Sequence, residues 1–407
     1  MRLLLIGATT GYQTRAFADA AERLGYELAL ATDRCHVLDD PWGDRAIALR
    51  FEDPLEAARV LAETARAEGI VAVGDRPAYI AALAAERMGL RYNSPAAALA
   101  ARDKFLARSR FRDAGLAVPE FFRVEIAAGA AAAADRTSFP CVLKPLVLSA
   151  SRGVIRANDR AEFLAAFQKI AALLTEPDLV RLGDEQQRFI QVEEFIHGRE
   201  FALEGILSSG RLRVLALFDK PDPLDGPYFE ETIYVTPSRE SAATQCDIVR
   251  TTERAMEALG LTEGPVHAEM RVNDRGVWML EVAARPIGGL CARVLPGLEE
   301  LILRHAAGED VSSIPMPREA AGVMMIPIPG EGIYVSVDGV EEARGVANIE
   351  DVAITAKPGQ KLVPLPEGNS YLGFIFARAA TPSAAEEALR TAHEKLRFEI
   401  AAALPVI

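Results

Sequence analysis

A chain of 407 residues, 50% hydrophobic and 25% charged, is long enough for about two to four structural units whose cores need no disulfide staples. Its formal net charge of −13 argues against a general nucleic-acid partner or an anionic membrane surface. Cys35, Cys141, Cys246 and Cys291 form no C-x-x-C pair, and no apolar run approaches the roughly 18 residues of a membrane span, so the expected setting is a reducing cytoplasm.

The first segment, "RLLLIGA", lacks the cleavage region of a signal peptide and is expected to be a buried strand. A turn, "GATTGYQ", leads into a helix from Gln13 to Leu24. "YELALAT", the helical "PLEAARVLAETARAEG", "IVAVG" and the helical "PAYIAALAAERMG" continue the alternation. That order over residues 1–95 predicts an open, mostly parallel α/β sheet. "GATTGYQ" is not G-x-G-x-x-G, so a tight turn at the sheet's carboxyl edge, facing a small substrate, is favoured over a dinucleotide loop. A helical bridge follows at 96–118, and "AAGAAAAAD" (127–135) reads as a surface helix or connector. "FPCVLKPLVLSASRGVIRA" gives strand, Ser/Gly turn and strand before a helix from Arg160. "RFIQVEEFIHGREFALEGILSSGRLRVLALFDK" holds two or three strands, and a helix at 244–260 precedes "HAEMRVNDRGVWMLEVAARPIGG" (267–289). Beyond Gly308, "AAGVMMIPIPGEGIYVSV" and "YLGFIFARA" are strand-like, and "SAAEEALRTAHEKLRFEI" is an amphipathic helix.

The 267–289 segment carries the first chemical signal. Taking Asp274-Arg275-Gly276 as a three-residue hairpin loop pairs Asn273 with Val277 and sets Glu269 opposite Glu281. Like charges facing across strands are destabilising, so the pair needs a reason. In this register Ala268, Met270, Val272, Trp278, Leu280 and Val282 form an apolar face, and His267, Glu269, Arg271, Glu281 and Arg285 a polar one. A solvated polar face is the plain alternative. Arg285-Pro-Ile-Gly-Gly beyond the strand adds a cation and an open backbone turn, and two facing carboxylates suit a hard divalent ion such as Mg²⁺, which takes substrate phosphates as further ligands. Parts of a nucleotide site lie upstream. Lys104 stands in "ARDKFL" and Lys144 in "VLKP", each a surface charge if taken singly. "LVLSASRGV" offers Ser149, Ser151, Arg152 and Gly153 as a lid over phosphates. In "QVEEFIHGRE" the backbone of Glu194 and Ile196 is placed to read an adenine edge.

Lys104, Lys144, the Ser/Gly loop, "VEEFIHGRE", Glu269 and "EVAARPIGG", in this order, resemble the ATP-grasp superfamily over nearly the whole chain. Within it the chain looks most like carboxylate–amine ligases, the group of bacterial L-amino acid ligases and carnosine-synthase-type enzymes. The resemblance implies an α/β and α+β fold in four parts. These are a Rossmann-like domain (1–95), a linker helix and lid (96–195), a catalytic subdomain with the Mg/ATP site (196–310), and a biotin-carboxylase-like α+β tail (311–407). It implies that Lys104 and Lys144 hold ATP phosphates beneath a mobile lid at 148–154. Glu193 and Glu200 would contact adenosine and ribose, with the backbone from Glu194 through Phe195 to Ile196 against adenine. Glu269 and Glu281 would bind Mg²⁺, with Mn²⁺ able to substitute. Arg285 would stabilise an acyl phosphate and a tetrahedral intermediate, with Gly288 and Gly289 donating N–H groups nearby. Two departures stand out: Ala283 occupies the position of an Asn that completes the metal site in many members, and the lid is poor in glycine.

The expected reaction is amide formation between small carboxylate and amine substrates through an acyl phosphate, with a homodimer as the assembly considered. His267 would orient substrate or accept a proton, or else be structural. Glu231 would bind an ammonium group and Lys220 a carboxylate or phosphate, unless both are solvated loop charges. Two rivals remain. One is a biotin-carboxylase-type or purine-pathway carboxylation, and the other a nucleotide-binding regulatory protein without turnover.

Overall fold

The computed structural model describes residues 1–8, 13–33, 46–317 and 319–402. Strands Arg2–Gly7, Glu27–Thr32, Ala46–Ala48 and Gly69–Val73 form a parallel sheet with the first strand inside it. The continuous apolar run "LLLI" follows from burial on both faces. Leu3 and Leu5 face a core containing Phe17 and Phe374, while Leu4 and Ile6 face one containing Leu61 and Ile80. Two helices start at the carboxyl edge of this sheet, Gln13–Leu24 and Asp75–Met88. Their first residues, Gln13 and Asp75, therefore stand where open α/β sheets bind ligands. Residues 9–12 of the expected turn lie outside the described residues.

A second, antiparallel sheet comprises Phe121–Glu125, Phe189–Glu194, Cys141–Pro145 and Ile155–Ala157. Helix Arg160–Leu173 backs it through Phe163, Phe167 and Ile170. The alanine-rich stretch is a connector with a short helix, Ala131–Asp135, whose Ala133 and Ala134 are buried in the same core.

An eight-stranded antiparallel sheet organises the rest, in the order Gly276–Ala283, Gly264–Asn273, Arg199–Ser208, Arg211–Lys220, Ile233–Thr236, Ala320–Ile326, Gly373–Ala379, Ile349–Ile354. It runs unbroken across residue 310. Helix Ala242–Leu259 covers one face, against Leu203, Ala268, Met270 and Met279. The expected terminal helix is shorter than its pattern: helix Pro382–His393 ends, and Arg397–Ala401 becomes a strand paired with Gly332–Asp338. "RFEI" alternates apolar and polar side chains, which suits an edge position better than another helical turn.

Glu269 does face Glu281, but by a different route. The hairpin loop has two residues, with Asn273 paired to Gly276. The Asn273 side chain closes it by accepting from Arg275 N (2.9 Å) and Trp278 Nε1 (3.1 Å). An extra residue, Leu280, then bulges between the Met270–Met279 and Glu269–Glu281 pairs and restores the register. Between loop and bulge the faces are exchanged. Val277 and Met279 join the apolar core, whereas Trp278 and Leu280 do not. Leu280 turns instead to a cavity wall beside Glu281.

Candidate active site

A cavity of about 660 Å³ lies where the three larger sheets meet. Its wall includes Lys104, Lys144, Ser149, Ser151, Glu193, Glu194, Phe195, Ile196, Glu200, Glu231, His267, Glu269, Glu281, Arg285, Gly288 and Gly289. Three expected residues stay off the wall: Arg152, Gly153 and Lys220.

At the nucleotide end, Asp103 caps helix Lys104–Asp113 and places Lys104 at its first turn, where Nζ donates to the Leu148 carbonyl of the lid loop. Lys144 pairs with Glu193 Oε1, and Arg108, 2% exposed, donates to Glu193 Oε2 at 3.3 and 3.1 Å. Glu193 is thus an anchor for two cations rather than a free contact for adenosine. Arg108 also donates to the Met279 and Leu280 carbonyls, tying the hairpin to this end. Burial pushes the Glu193 carboxyl up, yet Arg108 and Lys144 outweigh it and hold it down at about 2. A carboxylate depressed in the folded state contributes stability that is complete above its unfolded value, near 4.5, and is lost as pH falls toward 2. Glu193→Gln is expected to lose about 3–5 kcal/mol near neutral pH, because Arg108 remains buried without its counter-ion. The difference from wild type should shrink to near zero at the acid end of that window. Urea unfolding across the range checks this; a pH-independent difference would mean that shape, not charge, is at stake.

The hinge at 194–196 has divided its backbone groups. Glu194 N–H donates to the Glu120 carbonyl (3.0 Å) and Phe195 N–H to the Pro140 carbonyl (3.0 Å). The Ile196 carbonyl accepts from Arg271 (2.7 Å) and keeps one lone pair. Ile196 N–H has no protein acceptor among the described residues, so it is the donor left for an adenine edge. In the lid, Ala150 and Ser151 adopt left-handed φ values of 53° and 54°. Arg152 turns outward to the Glu367 carbonyl (2.6 Å) and the Glu176 carboxylate, and Gly153 N–H donates to the Pro366 carbonyl (2.8 Å). These two residues fasten the lid to the loop that supplies Asn369, Ser370 and Tyr371 to the wall. They do not face the phosphate end.

At the other end, Lys220 sits 6% exposed among three carboxylates: Glu200 (2.9 Å), Glu231 and Glu269 (3.1 Å). It is their shared counter-ion, so its expected role as a substrate contact is replaced by a structural one. Burial opposes its charge, but the three acids raise the ammonium well above its usual range. Glu200 spends its second oxygen on Arg271 (3.0 Å), so both its oxygens are engaged before any ribose arrives. Glu200 has Arg271 and Glu269 has His267 as a further cationic partner, whereas Glu231 has Lys220 as its one cation among the described residues and carries the strain. Burial, with Glu269 adding to it, pushes the Glu231 carboxyl up to about 7. Glu269 goes the other way: against burial, Lys220 and His267 hold it well below the carboxylate range.

His267 Nδ1 meets Glu204 (3.1 Å), which is wholly buried, and Nε2 meets Glu269 (3.3 Å). Burial disfavours the imidazolium, but the two carboxylates raise it to about 9. Burial also raises Glu204, so both partners bid for one proton. The imidazole keeps it, since it faces two carboxylates. Glu204 further accepts from Ile287 N–H (3.1 and 3.2 Å), Gln13 Nε2 donates to the Ile287 carbonyl, and Arg285 Nε donates to Asp75 (2.8 Å). Side chains from three elements thereby fix the 285–289 loop. The sequence reading missed Gln13, Asp75, Arg108 and Glu204. Only Gln13 and Asp75 had a signal to find, as first helical residues at the sheet's carboxyl edge.

The donors fit a divalent ion. Glu281 lines the cavity with no protein hydrogen bond or ion pair among the described residues. Opposite it, the Lys220, His267 and Tyr234 contacts to Glu269 all fall on Oε1, and Oε2 accepts none of them. An all-oxygen set of this kind suits Mg²⁺. A second acidic group, Glu200, Glu231 and Glu269, is close enough to share an ion, but Lys220 already fills its centre.

Three sheets, paired lysines, hinge and facing glutamates are arranged as in the ATP-grasp fold, and comparison with known proteins agrees. The ATP-grasp domain matches residues 137–294, and the L-amino acid ligase C-terminal domain 2 matches residues 324–401, so the chain carries both. The L-amino acid ligase from Bacillus licheniformis superposes with a TM-score of 0.81 at 26% identity, over 98% of this chain and 99% of that one. Biotin carboxylase from Campylobacter jejuni shares the fold, with a TM-score of 0.67 at 16% identity over 98% and 92% of the two chains. Alanine–anticapsin ligase of Bacillus subtilis (strain 168) is 30% identical over 220 residues, 51% of this chain and 46% of that protein. The chain spans about half the length of the curated relatives it matches. Among the described residues no helix is long and apolar enough to cross a membrane.

Proposed function

We propose that this protein is an ATP-dependent carboxylate–amine ligase that joins two amino-acid-like small molecules through an acyl phosphate, releasing ADP. One observation carries the reading: a single cavity runs from the Lys104–Lys144–Ile196 end to Glu269, Glu281 and Arg285. The loop at 369–371, within the L-amino acid ligase C-terminal domain 2, walls the same cavity. Direct attack of an amine on a carboxylate fails because oxide is a very poor leaving group. In the first step a carboxylate oxygen bonds to the γ-phosphorus as the bridging oxygen leaves with ADP. In the second, the amine nitrogen bonds to the acyl carbon, the carbon–oxygen bond to phosphate breaks, and the surplus amine proton leaves with the departing phosphate. Lys104 and Lys144 hold phosphate oxygens by charge, and the lid over them excludes water. Mg²⁺, or Mn²⁺ in its place, held by Glu269 and Glu281 would supply neutralisation of the crowded phosphate charge. Arg285 faces charge that develops on the acyl group, with Gly288 and Gly289 beside it. Glu231, a hydrogen-bonding acid or carboxylate near neutral pH, suits the ammonium of the activated amino acid. Hydroxylamine tests the reading directly. With ATP, Mg²⁺ and single amino acids, at least one should yield a hydroxamate with stoichiometric ADP. ADP formed at full rate with bicarbonate alone, and no hydroxamate with any amino acid, would overturn it in favour of a carboxylase.

A further inference from the structure

We propose that Gln13 is a specificity-determining residue for the attacking amine: its side-chain oxygen accepts an N–H from the uncharged amino group of a compact, apolar amino acid. The inference rests on the ligase reading and assigns its second substrate a subsite. Gln13 opens helix Gln13–Leu24, is 4% exposed and forms part of the cavity wall. Its Nε2 donates to the Ile287 carbonyl, which fixes the amide's orientation, because the flipped form would set oxygen against oxygen. Oε1 is then left buried with no partner among the described residues. Buried acceptors without a donor are uncommon in folded proteins, and one that belongs to a cavity-wall residue is placed to be completed by an occupant. Ile287, Cys291, Met325 and Phe374 belong to one apolar cluster and wall the same cavity as Gln13. An occupant of this end buries an apolar body and supplies the missing N–H.

The chemistry of the acceptor also fits. A nucleophilic amine must be unprotonated when it attacks. A carboxylate beside it would favour the ammonium and hold back the lone pair, whereas a neutral amide oxygen accepts a hydrogen bond without that penalty. The acids of the site are already spent: Glu200, Glu231 and Glu269 gather around Lys220, and Glu204, which holds Ile287 from its N–H side, is shared between that N–H and His267. The site thus divides the labour, with an acid for the charged amino group of the activated substrate and an amide for the uncharged one that attacks.

The test uses the full chain and separates acyl activation from amide formation. Hydroxylamine is too small to need the subsite, so hydroxamate formation reports the first step, and amide formation with a second amino acid reports both. Gln13→Met keeps length and removes the acceptor together with the tie to the Ile287 carbonyl. It should raise the KM for the second amino acid by about tenfold, the scale of one hydrogen bond to a buried partner, while hydroxamate yield falls by no more than about threefold. Gln13→Lys keeps a donor for the Ile287 carbonyl and removes the acceptor, so it should raise the same KM at least as much, with hydroxamate yield again held. Equal losses in hydroxamate and amide formation would show that Gln13 merely props the Ile287 loop, and an unchanged acceptor KM in Gln13→Met would likewise overturn the assignment. Should Gln13→Met not fold, Gln13→Lys decides, and an unchanged acceptor KM in that variant overturns the assignment. Wild-type protein that yields no hydroxamate with any amino acid removes the ligase reading itself, and this inference with it.

Discussion

Glu281→Gln should reduce ADP formation by about 10³-fold or more, the several kcal/mol that a bound divalent ion contributes to phosphoryl transfer, and should leave the fold intact. The two expectations come from the same geometry. Glu269 and Glu281 are paired across adjacent strands, and like charges so placed are destabilising. Lys220 and His267 already compensate Glu269, so relief on removing the second charge is small, and the metal-free variant should melt at the wild-type temperature or slightly above. Glu281 makes no hydrogen bond or ion pair with a described residue, and only its field reaches Arg285, so substituting it breaks no hydrogen bond. Added Mn²⁺ with ATP should raise the melting temperature of wild type and do so less in the variant, a readout independent of turnover. A variant that unfolds, or one that forms ADP at the normal rate, would sink the metal assignment. A metal-free variant markedly less stable than wild type would mean that Glu281 is structural.

The alternation of apolar runs and helical stretches made the N-terminal sheet legible, because strands buried on both faces and helices with one apolar stripe leave different periods. The facing glutamates were legible for a weaker reason. A three-residue loop is one residue longer than the actual turn and omits the Leu280 bulge; the two differences cancel at Glu269 and Glu281, but not at Trp278. Side-chain direction was the harder quantity. Arg152 follows two serines in a lid-like loop and looks like a phosphate ligand, yet Glu176 and the Glu367 carbonyl claim it. Lys220 looks like a substrate contact in a charged segment, yet three carboxylates from three separate strands or loops surround it. Those partners come from tertiary structure, which local spacing does not encode. Arg108 is the extreme case: in "KFLARSRFRD" it is one of three arginines on an ordinary helix, and only the fold singles it out to hold Glu193.

Arg285→Lys is expected to leave nucleotide affinity within a few-fold of wild type and lower amide formation by roughly 10²-fold or more, the scale of a lost oxyanion donor. The guanidinium is divided between two tasks. Nε donates to Asp75 (2.8 Å) and Nη1 to the Pro286 carbonyl (3.1 Å), while Nη2 donates to no described residue and remains for a substrate oxygen. Lysine retains the charge but is a single point without a fork, so satisfying Asp75 takes the charge away from the reacting group. Arg285→Ala should be worse in both respects: it removes the donor and strands the Asp75 carboxylate, which burial opposes and which Arg285 holds ionised. Its loss of stability, about 1–3 kcal/mol for a partner left unsatisfied, must be measured alongside the rate. Asp75→Asn separates the two effects, since it keeps the guanidinium and loosens its hold; its amide-forming rate should fall between wild type and Arg285→Lys, with folding intact. Steady-state ADP release and hydroxamate yield, each with a thermal melt, distinguish the outcomes. Arg285→Lys at the wild-type rate would mean that a single charge is enough there, and the two-pronged role of Arg285 would be lost. A large loss of nucleotide affinity instead would move Arg285 from the acyl group to the phosphates.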